Sequence, residues 1–541
     1  MSWKIISKLK NRSAAESGAA TSRRGGSLRI CLVYPNCYRI GMSNLGFQTV
    51  YRLLNSSAGI LCERAFLPDP DELREYAASR TPLLSLETQQ PVSGFDVIAF
   101  SVSFENDYLH IPAVFRLAGL PCYAAERTEK HPFVIAGGAA TFINPQPIAD
   151  FIDAICIGEA EVILPQLVEK LSEAAAGREE LCRQLATVPG LYLPAIHSKE
   201  SGHPVERVFL GDLDSQPVAT VVKTAEAEFA DMHLVELSRG CPRGCRFCAA
   251  GFIYLPYRQR SFEALKDALD EGIAAGRKIG LVAAAVGDYH GIDDLCRYIV
   301  ARGGSFSVSS LRIDGLDETM TSLLVESGHK TATLAPEGGS QRLRDLVKKG
   351  ITEAQILAAC QRLIVKDILN LKLYFIIGLP TETDADIDEL LELVAKIREI
   401  VVARAKQNRR LGEITLSVNP FIPKPFTPFQ WCGMQPLKTL EKRLAIIQTA
   451  VRRIANVTLQ AESLKEAMLQ ALVSRGDRSL SAFLLKSDEL GSWKKGAKAV
   501  GIDIEHAVIR QIPLEEELPW GFIKSESTEL LKREYRKAFG G

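Results

Sequence analysis

The chain has 541 residues, 46% of them apolar and 24% charged, with 65 Lys+Arg against 65 Asp+Glu and no net charge. That balance suits an ordinary globular protein of about three domains and excludes a chain governed by a basic nucleic-acid surface or by disorder. The 12 cysteines are scattered without the paired framework of a secreted module, and no apolar run reaches membrane-span length, so a reducing cytoplasm is the expected setting.

In chain order, residues 1–27 (MSWKIISKLKNRSAAESGAATSRRGGS) are basic, small and polar. They lack the apolar stretch of a secretory signal and read as a disordered basic tail. Over 28–190 the apolar runs SLRICLVYP, CERAFL, FDVIAFSV, HPFVIAGGAA and AICIGEAE read as strands, with LGFQTVYRLLN an amphipathic helix. Strands alternating with helices predict a doubly wound, Rossmann-like parallel sheet. Ligands of such sheets bind at the carboxyl ends of the strands. Gly137 and Gly138 follow FVIA there, and Gly158 with Glu159 and Glu161 follows AICI.

Residues 191–228 read as a hairpin connector, two apolar runs around polar turn residues. Over 229–430 the strand–loop–helix pattern returns, with strands at MHLVEL, KIGLVAAAVGD, SFSVSSLRID, TATLAPEGGS, NLKLYFIIGLP and EITLSVNPFIP. A full TIM barrel needs eight such units over about 250 residues, so a partial (β/α)6 barrel fits better. Residues 431–541 read as a helical annex that caps the barrel or packs beside it, with Trp493 and Trp520 as core aromatics and Cys432 inert.

The chemistry concentrates in VELSRGCPRGCRFCAAGFIY, where Cys241, Cys245 and Cys248 follow the first barrel strand with spacing CxxxCxxC. Structural zinc and common ferredoxin clusters take four protein ligands. Three thiols on one loop point instead to a 4Fe–4S cluster with one iron left for chemistry. Gly240 and Gly244 let the backbone turn tightly around it. Arg258 and Arg260, in YLPYRQRS, are expected to line the site, with helix capping alongside Ser261 as their other reading.

This run resembles the signature of radical S-adenosylmethionine (SAM) enzymes. The resemblance implies that the three cysteines hold the cluster and that the amino and carboxylate groups of SAM chelate the fourth iron. An electron then cleaves the sulfonium to a 5′-deoxyadenosyl radical. It also implies that Phe247 packs near the adenine, and that Gly287 and Asp288 meet the methionine ammonium, although AVGD stands where GGE is more usual. Ser309 is implied at the ribose, Arg312 at the methionine carboxylate, Glu337 at ribose or ammonium, and Gly378, Leu379 and Pro380 against the adenine.

The stretches YPNCYRIGMSNLGFQTVYRLL, FDVIAFSV, VIAGGAATFINPQPIADF and AICIGEAEVILPQL resemble the cobalamin-binding-type domain that precedes many such enzymes. The resemblance implies cobalamin as a second cofactor, beside loops containing Ser43, Asn44, Gly46, Ser101, Gly137, Gly138, Gly158 and Glu159. One departure stands out. The loop after the first strand lacks the histidine that ligates cobalt from below, and His110 and His131 lie elsewhere.

The function expected is radical SAM chemistry on an unactivated carbon, methylation if cobalamin is present and rearrangement or carbon–carbon bond formation otherwise. An electron donor such as flavodoxin or ferredoxin is the implied partner. Two alternatives stay open: an RNA methylthiotransferase-like enzyme, whose second cluster Cys31, Cys37 and Cys62 do not match, and an iron–sulfur sensor or electron-transfer protein. No residue is assigned an acid–base role. Lipid, tetrapyrrole, peptide and RNA substrates are all compatible with the sequence.

Overall fold

The first segment is a helix, Trp3–Ala14, where the sequence suggested a solvated tail. The computed structural model describes residues 1–18, 26–173, 177–197, 204–524 and 528–540, so the rest of that tail, 19–25, lies outside the described residues. The helix has one buried apolar anchor, Ile5, against Tyr76 and Leu84. Charge holds the remainder: Arg12 pairs with Glu226 at 2.8 Å, and Glu16, just beyond the helix, meets Arg64 at 2.5 Å with both side chains fully buried. Ile5, Ile6 and Leu9 lie on one helical face and pack with Tyr76 and Leu84, a short apolar stripe set among basic and polar residues, so the segment is a docked helix rather than a solvated tail.

The strands β1 (Leu28–Tyr34), β2 (Ile60–Phe66), β3 (Val97–Ser101), β4 (Phe133–Gly137), β5 (Ala154–Cys156) and β6 (Leu191–Tyr192) form one sheet in the order β2-β1-β3-β4-β5-β6. Only β6 runs antiparallel. Along β1, Ile30, Leu32 and Tyr34 enter one core while Cys31 and Val33 enter the other. That period of two on a sheet covered on both faces explains the unbroken apolar runs. The order reverses between β1 and β3, so their carboxyl ends form the crevice where such sheets bind ligands.

The expected hairpin does not form. The strand β6 pairs with β5, while β7 (Val205–Glu206) pairs in parallel with Ile523–Lys524 near the far end of the chain. Each run finds a distant edge rather than its neighbour; residues 198–203 between them lie outside the described ones.

The second sheet system begins with β8 (Met232–Glu236), followed by the short antiparallel pair β9 (Ser238–Arg239) and β10 (Arg258–Gln259). The strands β11 (Lys278–Val282) and β12 (Phe306–Val308) lie parallel to β8. A single bridge, Leu311 to Leu334, leads to β13 (Thr331–Glu337), β14 (Asn370–Ile377), β15 (Ile414–Pro420) and β16 (Val457–Ala461), also parallel. The six expected strands make an open arc, and β16 extends it from the segment expected to be helical. The remaining annex is helical, including Leu437–Val451, Leu464–Arg475, Leu480–Glu489 and Thr528–Ala538. Trp520 is buried in it at 1% exposure, whereas Trp493 lies at its edge.

Annex, arc and first sheet meet at one buried carboxylate. Glu105 accepts from Lys424 at 2.5 Å, Ser474 at 2.7 Å and Gln470 at 3.1 Å. Burial raises its pKa, but the Lys424 charge and the hydrogen bonds from Lys424 and Ser474 more than offset this and hold it below the ordinary value. The carboxyl ends of the two sheets are thereby held facing each other.

Candidate metal centre and adjoining cavity

Cys241, Cys245 and Cys248 lie on the loop after β9, at the carboxyl end of the arc, where barrels place their chemistry. Gly240 opens the loop at φ +83°, and a Cβ there would stand 2.6 Å from the Tyr254 carbonyl oxygen. Gly240→Ala is therefore expected to strain the loop by about 1–3 kcal/mol. Lower iron content per chain than wild type after reconstitution checks this. The stretch from Cys245 to Cys248 is tightened by a 3.1 Å bond from the Cys248 amide to the Cys245 carbonyl.

Arg246, between two of the cysteines, anchors the loop. Its amide donates to the Val347 carbonyl at 3.0 Å, its carbonyl accepts from the Phe429 amide at 3.1 Å, and its guanidinium donates to the Leu346 carbonyl at 2.8 Å. The thiols feel one another. Burial raises the Cys245 thiol, and the Cys241 charge adds to it while Lys349 and Arg312 oppose. Burial pushes Cys248 up to about 11. Cations beside mutually destabilised thiolates fit a metal cluster that takes up their charge. Among the described residues no three Cys, His, Asp or Glu side chains form a single-ion site.

Around the loop stands a polar ring. Arg243 pairs with Asp288 at 2.5 Å, Arg312 with Asp314 at 2.6 Å, and Arg312 lies 3.8 Å from Asp288. Gly287 faces the Arg312 side chain, while Ser309 is exposed. Glu337 adopts φ +66° at a bulge ending β13 and pairs with Lys349 at 3.0 Å. A non-glycine residue held there is strained, and such strain collects at ligand sites. Phe247 packs on the core.

Gly378, Leu379 and Pro380 form a turn held from behind. The Gly378 amide donates to Glu382 at 2.6 Å, and Glu382 pairs with Arg443 at 2.8 Å. Burial nonetheless pushes the Glu382 carboxyl up to about 7.

A cavity of about 480 Å³ joins the two carboxyl edges. Asn44, Gly46, Ser101, Gly137, Gly138, Gly158 and Glu159 line its sheet end, and no histidine is among the lining residues. Its floor is an apolar slot between the sheet and the helices Leu45–Ser56 and Ala160–Glu173, lined by Ile30, Leu32, Leu54, Leu167 and Leu171. Its other end reaches Gly240, Ala250 and Tyr254, on either side of the cysteine loop. Gly138 permits the close packing: at φ +116° its Cβ would lie 2.4 Å from the Val102 carbonyl oxygen. Ser43 does not reach the cavity. Its hydroxyl donates to the Arg39 carbonyl and accepts from the Glu228 amide.

Three arginines near the cysteine loop are held in buried ion pairs. Arg258 pairs with Glu159 at 2.7 Å, and Arg260 is fully buried on Glu236 at 2.5 Å and on the Leu213 and Gln216 carbonyls. Both are therefore turned into the domain junction rather than free to line a substrate site, while Ser261 caps the next helix. Arg239 joins them, bonded to Glu159 at 2.8 Å and Glu161 at 2.7 Å. Sequence reasoning missed Arg243, Lys349 and Arg239. Only Arg243 carried a local signal, as a cation inside the cysteine run. Cys432 is buried, and burial pushes its thiol up to about 12, which suits an inert residue.

Residues 46–194 match the family of radical SAM proteins, N-terminal, and residues 235–394 match the radical SAM superfamily. An uncharacterised protein of Methanocaldococcus jannaschii is 29% identical over 462 residues, 84% of this chain and 90% of its own length. An uncharacterised methyltransferase of Pyrococcus horikoshii is 23% identical over 330 residues, 54% of this chain and 65% of that one. In fold, the chain is similar to the radical SAM methyltransferase TsrM of Kitasatospora setae, solved with tryptophan substrate and a SAM analogue. The TM-score is 0.54 at 14% identity, over 87% of this chain and 99% of that one.

Proposed function

We propose, from the premise that the chain belongs to the radical SAM superfamily and is an enzyme that uses a 4Fe–4S cluster and SAM, that it is a cobalamin-dependent methyltransferase acting on an unactivated carbon. The observation that carries this reading is the continuous cavity from the switch point of the first sheet to the loop of Cys241, Cys245 and Cys248. It leaves room for a second cofactor in line with the first. The methyltransferase name of the P. horikoshii relative and the methyltransferase title of the TsrM structure support it. So does a further TsrM structure solved with cobalamin and a 4Fe–4S cluster bound.

When bound, the cluster and SAM supply hydrogen abstraction, and cobalamin supplies a methyl carrier. The chain's own residues do the rest. Cys241, Cys245 and Cys248 would hold three of the cluster's irons. In our reading Asp288 would accept from the methionine ammonium and Arg312 would donate to the methionine carboxylate. Glu337 and Ser309 serve the ribose, and the Gly378–Pro380 turn and Phe247 flank the adenine. The glycines at 137, 138 and 158 and the apolar floor would hold the second cofactor, the glycines by letting backbone approach it closely. The residues lining the cavity would offer such a cofactor amide, hydroxyl, carboxylate and backbone contacts, without a histidine among them. The apolar walls exclude water from the reacting carbon.

The units 28–190, 229–430 and 431–541 are then cobalamin-type domain, catalytic arc and cap, with β6 completing the first sheet and β16 the arc. A flavodoxin- or ferredoxin-type donor in a reducing cytoplasm completes the reading; all 12 cysteines are free thiols, and among the described residues no helix is long and apolar enough to cross a membrane. The methylthiotransferase alternative is not favoured, because Cys31 and Cys62 are buried within β1 and β2 rather than gathered on a shared loop.

Anaerobic reconstitution with iron, sulfide and cobalamin, then SAM and a low-potential reductant, tests the reading. 5′-Deoxyadenosine is expected from the wild type and none from the Cys241→Ala/Cys245→Ala/Cys248→Ala variant. Its absence from a wild type carrying an intact, reducible cluster overturns the enzyme reading. Failure to retain a corrinoid overturns the cobalamin part alone.

A further inference from the structure

The C-terminal helix Thr528–Ala538 packs on the back of the cysteine loop. Tyr535 and Phe539 wedge it against the 310 turn Pro428–Trp431, through Trp431 at 5.6 Å and Phe429 at 5.9 Å between ring centroids. The Phe429 amide is the one that holds the Arg246 carbonyl, so helix and loop share a support. From this helix Glu534, with 8% of its side chain exposed, reaches three cations. These are Arg246 at 3.4 Å, Lys348 at 3.2 Å and Lys537 at 3.3 Å.

Arg246 stands between Cys245 and Phe247 in sequence. Lys348 is itself in the left-handed region at φ +56°, and its Nζ lies 3.4 Å from where a Gly244 Cβ would be. Two of the three cations that Glu534 neutralises therefore belong to the immediate wall of the loop. The chain spends a buried carboxylate there, 288 residues downstream of Arg246, although the guanidinium already donates to the Leu346 carbonyl.

We infer that Glu534 is a positioning residue that sets the charge around the iron–sulfur cluster, holding Arg246 and Lys348 and keeping the cluster harder to reduce. The inference rests on the assignment of the cluster to Cys241, Cys245 and Cys248. A 4Fe–4S cluster with three thiolates carries charge −1 when oxidised and −2 after accepting one electron. Net positive charge beside it favours the reduced form, and a carboxylate that cancels that charge opposes it. Opposite substitutions should therefore act in opposite directions.

The test is a potentiometric titration with titanium(III) citrate, read by the electron paramagnetic resonance signal of the reduced cluster in the reconstituted full-length protein. Glu534→Gln is expected to raise the reduced-to-oxidised ratio at fixed potential about tenfold, a positive shift of ~59 mV for one electron. Lys348→Met is expected to shift it the other way, and Glu534→Asp to restore a value near wild type. An unchanged midpoint in Glu534→Gln, or a shift of the same sign in Glu534→Gln and Lys348→Met, overturns the inference, because a merely structural role predicts no reversal of sign. If Glu534→Gln does not fold, Glu534→Asp against Lys348→Met still decides: equal displacement in one direction counts against the proposal. A wild type that takes up no four-iron cluster removes the underlying assignment as well, which is a separate failure.

Discussion

Glu159→Ala is expected to destabilise the junction between the first sheet and the arc by about 3–5 kcal/mol, because it strips a buried carboxylate from two arginines that cannot reach water. Glu159 has 4% of its side chain exposed, Arg258 8% and Arg239 11%. Arg239 keeps Glu161 and Glu236, whereas Arg258 keeps the carbonyls of Pro256, Leu210 and Tyr254 and the face of the Phe209 ring, with no carboxylate among them. The loss should therefore fall mainly on Arg258. Urea unfolding followed by tryptophan fluorescence measures it, and a change under about 1 kcal/mol, the size of a surface pair, would show the network to be solvated.

The pH dependence has a definite sign. Burial raises the Glu159 carboxyl, but hydrogen bonds from Arg258 and the charge of Arg239 more than offset it, so the folded pKa lies below the ordinary 4.5. A depressed carboxylate contributes stability that is full above the unfolded pKa and is lost as pH falls through the folded one. Wild type should thus lose junction stability below pH 4.5, and Glu159→Gln should lack that component. Because Glu159 also lines the cavity, retention of the corrinoid should weaken in the alanine variant.

How much of this was readable in the sequence follows from the range of each interaction. The cysteine loop is local, and three thiols, two glycines and a strand within a few residues carry their meaning in the spacing. The main strands of the first sheet and of the arc declare themselves as apolar runs because both faces are covered. The strand β16 did not, since of VTLQA only Val457 is buried. An edge strand that is mostly exposed has no alternation to read.

The polar ring was legible as residue types at strand ends, but its pairing was not. Arg243 with Asp288, Glu337 with Lys349 and Arg246 with Glu534 are set by how the strands close, which no window of sequence contains. The same limit produced the error over Arg258 and Arg260. Cations just after a metal loop suggest a ligand, yet their carboxylates come from β8 and from the loop after β5. Their neighbours in sequence told only half of the charge balance.

The N-terminal helix carries the second large effect. Arg64, fully buried in β2, is gripped by Glu16 at 2.5 Å and Glu87 at 2.7 Å, lies over the Tyr51 ring at 4.6 Å, and shares Glu16 with the Tyr38 hydroxyl. Burial alone would lower its pKa, but Glu87 and Glu16 hold it well above the ordinary value, so it stays charged. Arg64→Met removes the cation and leaves two buried carboxylates facing each other. The expected loss is about 3–5 kcal/mol for the first sheet, with release of the helix Trp3–Ala14. Amide hydrogen exchange should show that helix losing protection while the arc, β11 to β15, keeps its own. The double variant Arg64→Met/Glu16→Gln should recover part of the loss, because one of the stranded charges is gone. If Arg64→Met alone leaves helix protection at the wild-type level, then Ile5 and the Arg12–Glu226 pair suffice to dock the helix and the buried pair is dispensable. The charge-anchored reading of the N-terminus would then fail. The expected result, by contrast, makes the first 17 residues part of the wall behind β1 and β2, and so part of what holds the switch-point crevice in shape.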